Sequence, residues 1–413
     1  MIIKNIGELM GIVPKGVARK LGPEMSEVES IKDAFIEVKD GKIYSFGEMS
    51  SCPSLDTDVV DAGGGMVLPS FCDSHTHICY AGTREQEFID KINGLSYAEI
   101  AARGGGILNS ADLLGRTSED DLFAQTLERL NELIAKGTGA VEIKSGYGLD
   151  TENELKMLRV IRRLKETSPA TIKATFLGAH AVGRAYSGRQ AEYVGLVCDE
   201  MIPAVAEEAL ADYIDVFCDE GFFTPEETER MILAWGKFGS RAKIHANELA
   251  CSGGVQVAVR NGALSVDHLE RTGPEEIEAL KGSDTMPTML PGASFFLNMP
   301  YGKAKEYINE GLGVALASDY NPGSSPAGDM RFVMALACVK MRLTPEEAFN
   351  ACTLNSAYAM GVSDTLGSIT EGKTANLILT KPLPSLGFIP YCHQTPYISK
   401  VFLKGKEITQ GLV

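Results

Sequence analysis

The residues of this chain best suited to chemistry are its histidines, and their placement is more telling than their number. There are six, and five fall at or just past the C-terminal ends of apolar runs: His75, His77, His180, His245 and His268. Asp319 closes another such run, in Ala315-Leu316-Ala317-Ser318-Asp319. Side chains alternate along a strand, so residues two apart point the same way. His75-Thr76-His77 can therefore aim two imidazoles at one point. With His245 and Asp319 they supply three nitrogens and one carboxylate, a set that suits zinc or iron and leaves a position open for water. Such an ion lowers the pKa of that water and makes hydroxide available near neutral pH. Taken alone, His-x-His also fits two polar loop residues; the other strand ends turn the reading toward metal.

His268, one strand further round, can serve as a second-metal ligand, a general base or a core histidine bonded to backbone. A second ion is usually bridged by a carboxylated lysine from the fourth strand, which here ends Val216-Phe217-Cys218-Asp219. We therefore expect one ion, with His268 as an acid/base group beside it. Lys144 ends the second run and does not fit the bridge; buttressing or a surface salt link is the expectation. Glu248, three residues after His245, can orient a ring nitrogen or shuttle a proton, or it is a helix first-turn glutamate. Arg84 can clamp a carboxylate bidentately, or it pairs with Glu85 or Glu87 at the surface. Gly104-Gly105-Gly106 allows backbone to approach a ligand, or is a turn. Tyr147, between Gly146 and Gly148, can present its phenol to the site or cap the barrel. Asn321-Pro322-Gly323-Ser324 offers an amide and free backbone N–H groups near the metal, or is a plain turn.

These residues need a scaffold that gathers strand ends. Eight runs have the length of buried parallel strands: 66–71, 141–144, 172–178, 213–218, 243–246, 264–267, 285–290 and 313–317. Helical patterns lie between them. One begins at the N-cap Ser118, carries Glu119, Asp120 and Asp121 in its first turn, continues with Leu122, Leu127, Leu130 and Ile134, and stops at Gly137. Others cover about 152–166, 225–238 and 274–280. This alternation predicts an α/β fold, a (β/α)8 TIM-like barrel whose strand ends converge on one face. No Gly-rich switch-point turn supports a doubly wound sheet. The flanks read as strands: a hairpin turning at Asp40-Gly41, segment 376–379, and 401–408 turning at Lys404-Gly405. We expect 1–66 and 365–413 to form one small β-sandwich beside a barrel of residues 67–364.

Composition sets outer limits. The chain has 413 residues, 44% hydrophobic and 23% charged, which excludes disordered and collagen-like classes. A net charge of −16 makes nucleic acid or an anionic membrane a poor partner. No run is long enough to span a bilayer and no leader pattern opens the chain. Nine scattered cysteines without a Cys-x-x-Cys pair read as reduced thiols of a cytoplasmic protein.

Several blocks together carry a resemblance. They are Asp73-Ser74-His75-Thr76-His77 with Gly82-Thr83-Arg84-Glu85, then Gly104-Gly105-Gly106-Ile107, Glu142-Ile143-Lys144-Ser145-Gly146-Tyr147-Gly148-Leu149 and Phe176-Leu177-Gly178-Ala179-His180-Ala181. Ile244-His245-Ala246-Asn247-Glu248, Asp267-His268-Leu269, Leu290-Pro291-Gly292 and Ser318-Asp319-Tyr320-Asn321-Pro322-Gly323-Ser324 follow in order. The chain resembles the imidazolonepropionases, amidohydrolase-superfamily enzymes of histidine degradation. His-x-His marks only the superfamily; the Ser-Gly-Tyr-Gly-Leu and Asp-Tyr-Asn-Pro-Gly-Ser blocks are far more specific. The resemblance implies hydrolysis of 4-imidazolone-5-propanoate to N-formimidoyl-glutamate, with one zinc or iron on His75, His77, His245 and Asp319. It implies that Arg84, Tyr147 and His180 hold the substrate, mainly its propionate, that Glu248 contacts the ring, and that Asn321, Gly323 and Ser324 line the pocket. His268, Asp319 and Glu248 are the candidate proton-transfer groups. Asn247 and Ala293 depart from the family's common acidic and hydroxyl residues, away from the metal set. The implied partner is a small molecule, with a homodimer left open. Competing readings are another mononuclear amidohydrolase, such as a heterocycle aminohydrolase, and a barrel that has lost catalysis and serves as a scaffold.

Overall fold

The computed structural model describes residues 1–54, 58–95, 99, 103 and 105–408. Gly104, one of the three consecutive glycines, and the terminal residues 409–413 lie outside them. Two sheets organise the chain. The barrel strands are β6 (Phe71–Thr76), β7 (Thr138–Lys144), β8 (Thr171–Ala179), β9 (Tyr213–Cys218), β10 (Ala242–Ala246), β11 (Ser265–His268), β12 (Met286–Met289) and β13 (Ala315–Leu316), hydrogen-bonded in sequence order. Every ladder between them is parallel. Helices outside cover one face of each strand and the barrel interior encloses the other, so every residue of β6, β7, β9, β10, β11 and β12 is buried. The last strand is only two residues long, so Asp319 stands three residues beyond it.

The barrel closes through a seam rather than a full ladder. Thr76 bridges Tyr320 in parallel, His77 N donates to Tyr320 O at 2.9 Å, and Asp319 N donates to His75 O at 3.0 Å. The seam thus clamps the His-x-His segment to Asp319 by backbone alone.

The second sheet gathers β1 (Ile2–Ile12), β2 (Glu29–Lys39), β3 (Lys42–Glu48), β4 (Val59–Asp61), β5 (Met66–Pro69), β14 (Leu377–Thr380), β15 (Ile398–Leu403) and β16 (Lys406–Glu407). Both flanks therefore meet in one separate sheet with its own buried cluster, including Ile3, Ile36, Val67, Leu377 and Phe402. The β2–β3 hairpin turns at Asp40 (φ 50) and Gly41 (φ 73), and β15–β16 at Lys404 (φ 51) and Gly405 (φ 73), the left-handed pairs that a two-residue turn demands. One expectation needs correcting. The run 66–71 is not the first barrel strand: Met66–Pro69 pairs with β1 and β14, and the barrel begins at Phe71. Both pieces are apolar, so nothing in their hydrophobicity marks the break.

The helices form where capping and stripes require. Ser118 Oγ accepts from Asp121 N at 3.1 Å, and Leu122, Leu130 and Ile134 of helix Glu119–Ala135 are buried in the main core. Each such leucine contributes about 1.5–3 kcal/mol by leaving water. Thr224 and Glu227 cap helix Pro225–Gly236 reciprocally. Among the described residues no helix is long and apolar enough to cross a membrane, and all nine cysteines are free thiols.

Candidate active site

The ends of β6, β10 and the segment after β13 bring four ligand-type atoms together. His75 Nε2 and His77 Nε2 are 3.2 Å apart, and His77 Nε2 and His245 Nε2 are 3.3 Å apart. Asp319 Oδ1 lies 3.6 Å from His75 Nε2 and 3.5 Å from His77 Nε2. A tetrahedron of bonds of about 2.0–2.1 Å has edges of about 3.3–3.4 Å; His75, His77 and Asp319 lie close enough together to share one ion, and His245 reaches that group through His77.

The protonation states agree. His75 Nδ1 faces Asp267 Oδ2 at 2.6 Å, so that nitrogen is assigned the ring proton and Nε2 is a bare lone pair. His245 Nδ1 lies 2.9 Å from Asp215 Oδ2. Burial, followed by the Lys144 ammonium and neighbouring imidazoles, holds His75 well below the usual histidine range. Burial and neighbouring imidazoles do the same to His77. Burial also lowers His245, against the pull of Asp215. With their Nδ1 atoms turned to Asp267 and Asp215, His75 and His245 present Nε2 toward His77 and Asp319, a set of neutral nitrogens and one carboxylate that fits a metal ion.

Beneath the ligands lies a layer of fully buried charge, of which the sequence reading offers only Lys144, as a buttress or a surface salt link. Lys144 Nζ sits 2.5 Å from Glu142 Oε1 and 2.8 Å from Asp215 Oδ2. Lys243 Nζ donates to Ser74 O at 2.6 Å and makes a close ion pair with Glu142. Ser265 Oγ donates to Asp267 Oδ1 at 2.6 Å, and Thr175 Oγ1 to Glu142 Oε1 at 2.6 Å. Burial alone would strip Lys144 of its proton, but Asp215, Glu142 and Asp267 outweigh it and hold the ammonium charged. Lys144 is therefore a buttress; the surface salt link is excluded, because its side chain is fully buried. The carboxylates behind His75 and His245 are thus pinned by ammonium groups in the barrel interior. A signal was present: Glu142/Lys144, Lys243/His245 and Ser265/Asp267 are polar pairs two apart in apolar strands, all on the inward face.

Above the ligands opens a cavity of about 220 Å³, lined by His77, Arg84, Ile107, Tyr147, His180, His245, Glu248, His268, Asp319, Asn321, Gly323 and Ser324, with Lys91, Phe217, Phe222 and Leu297 as residues not foreseen. His75 lies under it, fully buried. His268 Nε2 is 3.8 Å from Glu248 Oε2, and its Nδ1 is 3.5 Å from Glu270 Oε2. Burial would lower His268, yet Glu248, Glu270 and Asp319 overcome it and hold the imidazolium well above the usual range. Glu248 belongs to no helix, so the first-turn reading does not apply; burial raises its carboxyl. In the absence of an ion, burial pushes Asp319 up to about 7; an adjacent cation pulls it back down.

The loops that carry these groups are strained. Asn247 (φ 60), His268 (φ 89), Leu269 (φ 65) and Asp319 (φ 53) occupy the left-handed region, at about 1–3 kcal/mol each. Tertiary bonds hold them: Leu269 N donates to Ala246 O at 3.1 Å, and Arg271 N to Asn247 O at 2.7 Å. Tyr147 sits on a loop whose Gly146, Gly148 and Leu149 N–H groups all donate to the buried Glu154 carboxylate. His180 Nδ1 contacts Gly146 O at 3.0 Å, and its ring stacks on His77. Burial, helped by His245, lowers His180 to about 3.

Two expectations change at the rim. The turn after Asp319 does not offer a free amide and free N–H groups: Asn321 Oδ1 accepts Gly323 N and Ser324 N, both at 2.8 Å, while Asn321 Nδ2 donates to Asp319 O and Ser324 Oγ, both at 2.7 Å. Asn321 organises the turn that seats Asp319. Arg84 pairs bidentately with Glu87, at 2.7 and 2.6 Å, while lining the cavity, so the ion pair and the cavity placement hold together. Gly106 N donates to Glu87 Oε1 at 2.7 Å, which makes Gly106 part of that clamp.

Fold and site together define a barrel hydrolase with a metal-type ligand cluster at its C-terminal mouth. The sequence model of the amidohydrolase family matches residues 66–408. The imidazolonepropionase of Flavobacterium johnsoniae is 54% identical over 408 residues, covering 98% of this chain and 99% of its own. That of Flavobacterium psychrophilum is 53% identical over 408 residues, with 98% and 99% coverage. Among solved structures, atrazine chlorohydrolase from Arthrobacter aurescens TC1 complexed with zinc superposes with a TM-score of 0.73, over 100% of this chain and 95% of its own, at 15% identity, a likeness of fold. The chain belongs to the amidohydrolase family and, within it, to the imidazolonepropionases; it is a hydrolase.

Proposed function

We propose that this cavity opens the ring of 4-imidazolone-5-propanoate by hydrolysis, yielding N-formimidoyl-L-glutamate in histidine degradation, on one metal ion held by His75, His77, His245 and Asp319. The observation that carries the reading is the cluster of His75, His77 and Asp319 at 3.2–3.6 Å, with His245 3.3 Å from His77, beneath a cavity that also holds Arg84. When bound, zinc or iron supplies Lewis-acid polarisation and lowers the pKa of a water toward neutrality.

The remaining roles belong to the chain's own groups. Arg84, already oriented by Glu87, offers its guanidinium to the propionate, and Tyr147 adds a phenol beside it. His180 is neutral, and with its proton on Nδ1 toward Gly146 O it presents Nε2 as an acceptor for an N–H of the substrate. Phe217 and Phe222, stacked with centroids 4.0 Å apart, close one wall against water. His268 lies between the carboxylates of Glu248 and Glu270, which favour its protonated form; an Nε2–H there stabilises negative charge growing on the ring carbonyl oxygen. That leaves Asp319 to move the proton: Oδ1 faces the histidines, so Oδ2 takes the water's proton and returns it to the departing ring nitrogen. Glu248, beside His268, orients the ring. Gly323 and Ser324 shape the floor, and Asn321 holds the turn. Nine free thiols and a net charge of −16 support a cytoplasmic enzyme of a small molecule.

The test is direct. Metal-loaded protein mixed with 4-imidazolone-5-propanoate should erase the ring's ultraviolet absorbance and yield formimidoylglutamate. Persistence of the absorbance, with metal bound, would refute the assignment.

A further inference from the structure

Arg84 is the cation most plainly aimed at the cavity, yet its charge is already matched. Glu87 engages it bidentately at 2.7 and 2.6 Å, so the pair carries no net charge toward a ligand. A carboxylate leaving water needs a net positive charge to meet it. On the same helix, α1 (Glu85–Ile92), Lys91 stands two turns beyond Arg84 and lines the same cavity. Its Nζ reaches within 3.5 Å of Gly323 O. A Cβ on Gly323 would lie 2.5 Å from Arg84 Nη1, so the two cations flank one glycine. Among the described residues no carboxylate pairs with Lys91 as Glu87 pairs with Arg84. Burial, and next the Arg84 charge, lower its ammonium, as expected of a cation facing another cation across a partly closed space.

We propose that Lys91 is a specificity-determining residue, the second cation that binds the substrate's side-chain carboxylate together with Arg84. The proposal rests on the reaction assigned above. The Arg84–Glu87 pair gives direction, through a planar fork held in place, and Lys91 gives charge. A heterocycle without the carboxylate leaves Lys91 unanswered inside the cavity, so the site selects the acid over the bare ring.

Steady-state kinetics of the metal-loaded Lys91→Met enzyme test this. KM for 4-imidazolone-5-propanoate should rise about tenfold, the low end for a half-exposed charged contact, with kcat within about twofold. Lys91→Arg should restore KM to within about threefold. Added salt should raise the wild-type KM more than that of Lys91→Met. The thermal midpoint should move little, since the side chain is half-exposed and makes no ion pair among the described residues. A KM for Lys91→Met within about twofold of wild type, in an active wild type, overturns the role of Lys91 alone. A joint fall of kcat and thermal midpoint also overturns it, by showing a structural role. Inactivity of the wild type strikes the reaction assignment instead.

Discussion

At the scale of single residues, the site is tuned by what lies behind each reacting group. His75 owes its bare Nε2 to Asp267, and His268 owes its charge to Glu248 and Glu270. Arg84 owes its orientation to Glu87 on one side and to the missing side chain of Gly323 on the other. Gly323→Ala would place a methyl 2.5 Å from Arg84 Nη1 and 2.8 Å from Cζ. To make room the guanidinium must shift, and with it the two bonds from Nε and Nη2 to Glu87. We expect KM to rise about tenfold or more, the cost of one misplaced charged contact. The thermal midpoint should change little, because the turn's bonds to Asn321 involve backbone that alanine retains. Wild-type KM in that variant would show that Arg84 does not hold the substrate.

Elements place these residues by bonds that cross from one loop to another. The segment from Ser145 to Leu149 has no regular structure of its own, and Gly146 (φ 107) and Leu149 (φ 57) both turn left-handed. It is held by Glu154, in the first turn of helix Thr151–Thr167, whose buried carboxylate accepts three N–H groups at 2.7–3.0 Å. Glu154→Gln keeps the shape but sets an NH2 donor against one of those N–H donors. Leaving such a group unsatisfied costs about 1–3 kcal/mol. Differential scanning calorimetry should show a lower midpoint, and KM should rise, because Tyr147 rides on this loop and His180 leans on Gly146 O. An unchanged midpoint would mean that the loop is held by other contacts.

For the whole molecule, the proposed metal site and the barrel's closure share the same backbone seam. The seam at Thr76 and Tyr320 brings Asp319 against the histidines, and the lone pairs gathered there repel one another without a cation. Removing metal with a chelator should therefore lower the unfolding midpoint, and restoring zinc should raise it again. An ion present at about a hundred times its dissociation constant adds about 2.7 kcal/mol to the folded state. Equal midpoints with and without metal, confirmed by metal analysis, would detach the site from fold stability. The terminal sheet lies apart from this effect, since its cluster around Ile36 and Leu377 contains no ligand.

What the amino-acid order determined by itself was local. Residue types two apart on strands, the cap at Ser118, the Asp40-Gly41 turn and the polar ends of apolar runs all act over a few residues, so the barrel strands and the histidine–aspartate set were legible. Tertiary structure decided the rest. It split the apolar run at Pro69, placed Glu142, Lys144, Asp215, Lys243 and Asp267 in one buried layer, turned Asn321 inward on its own loop, and brought Lys91 to the cavity beside Arg84. Hydrophobicity tells a strand that it is buried but not which sheet buries it. A charge deep in the interior is tolerable only once the chain has delivered its counter-charge from a distant strand.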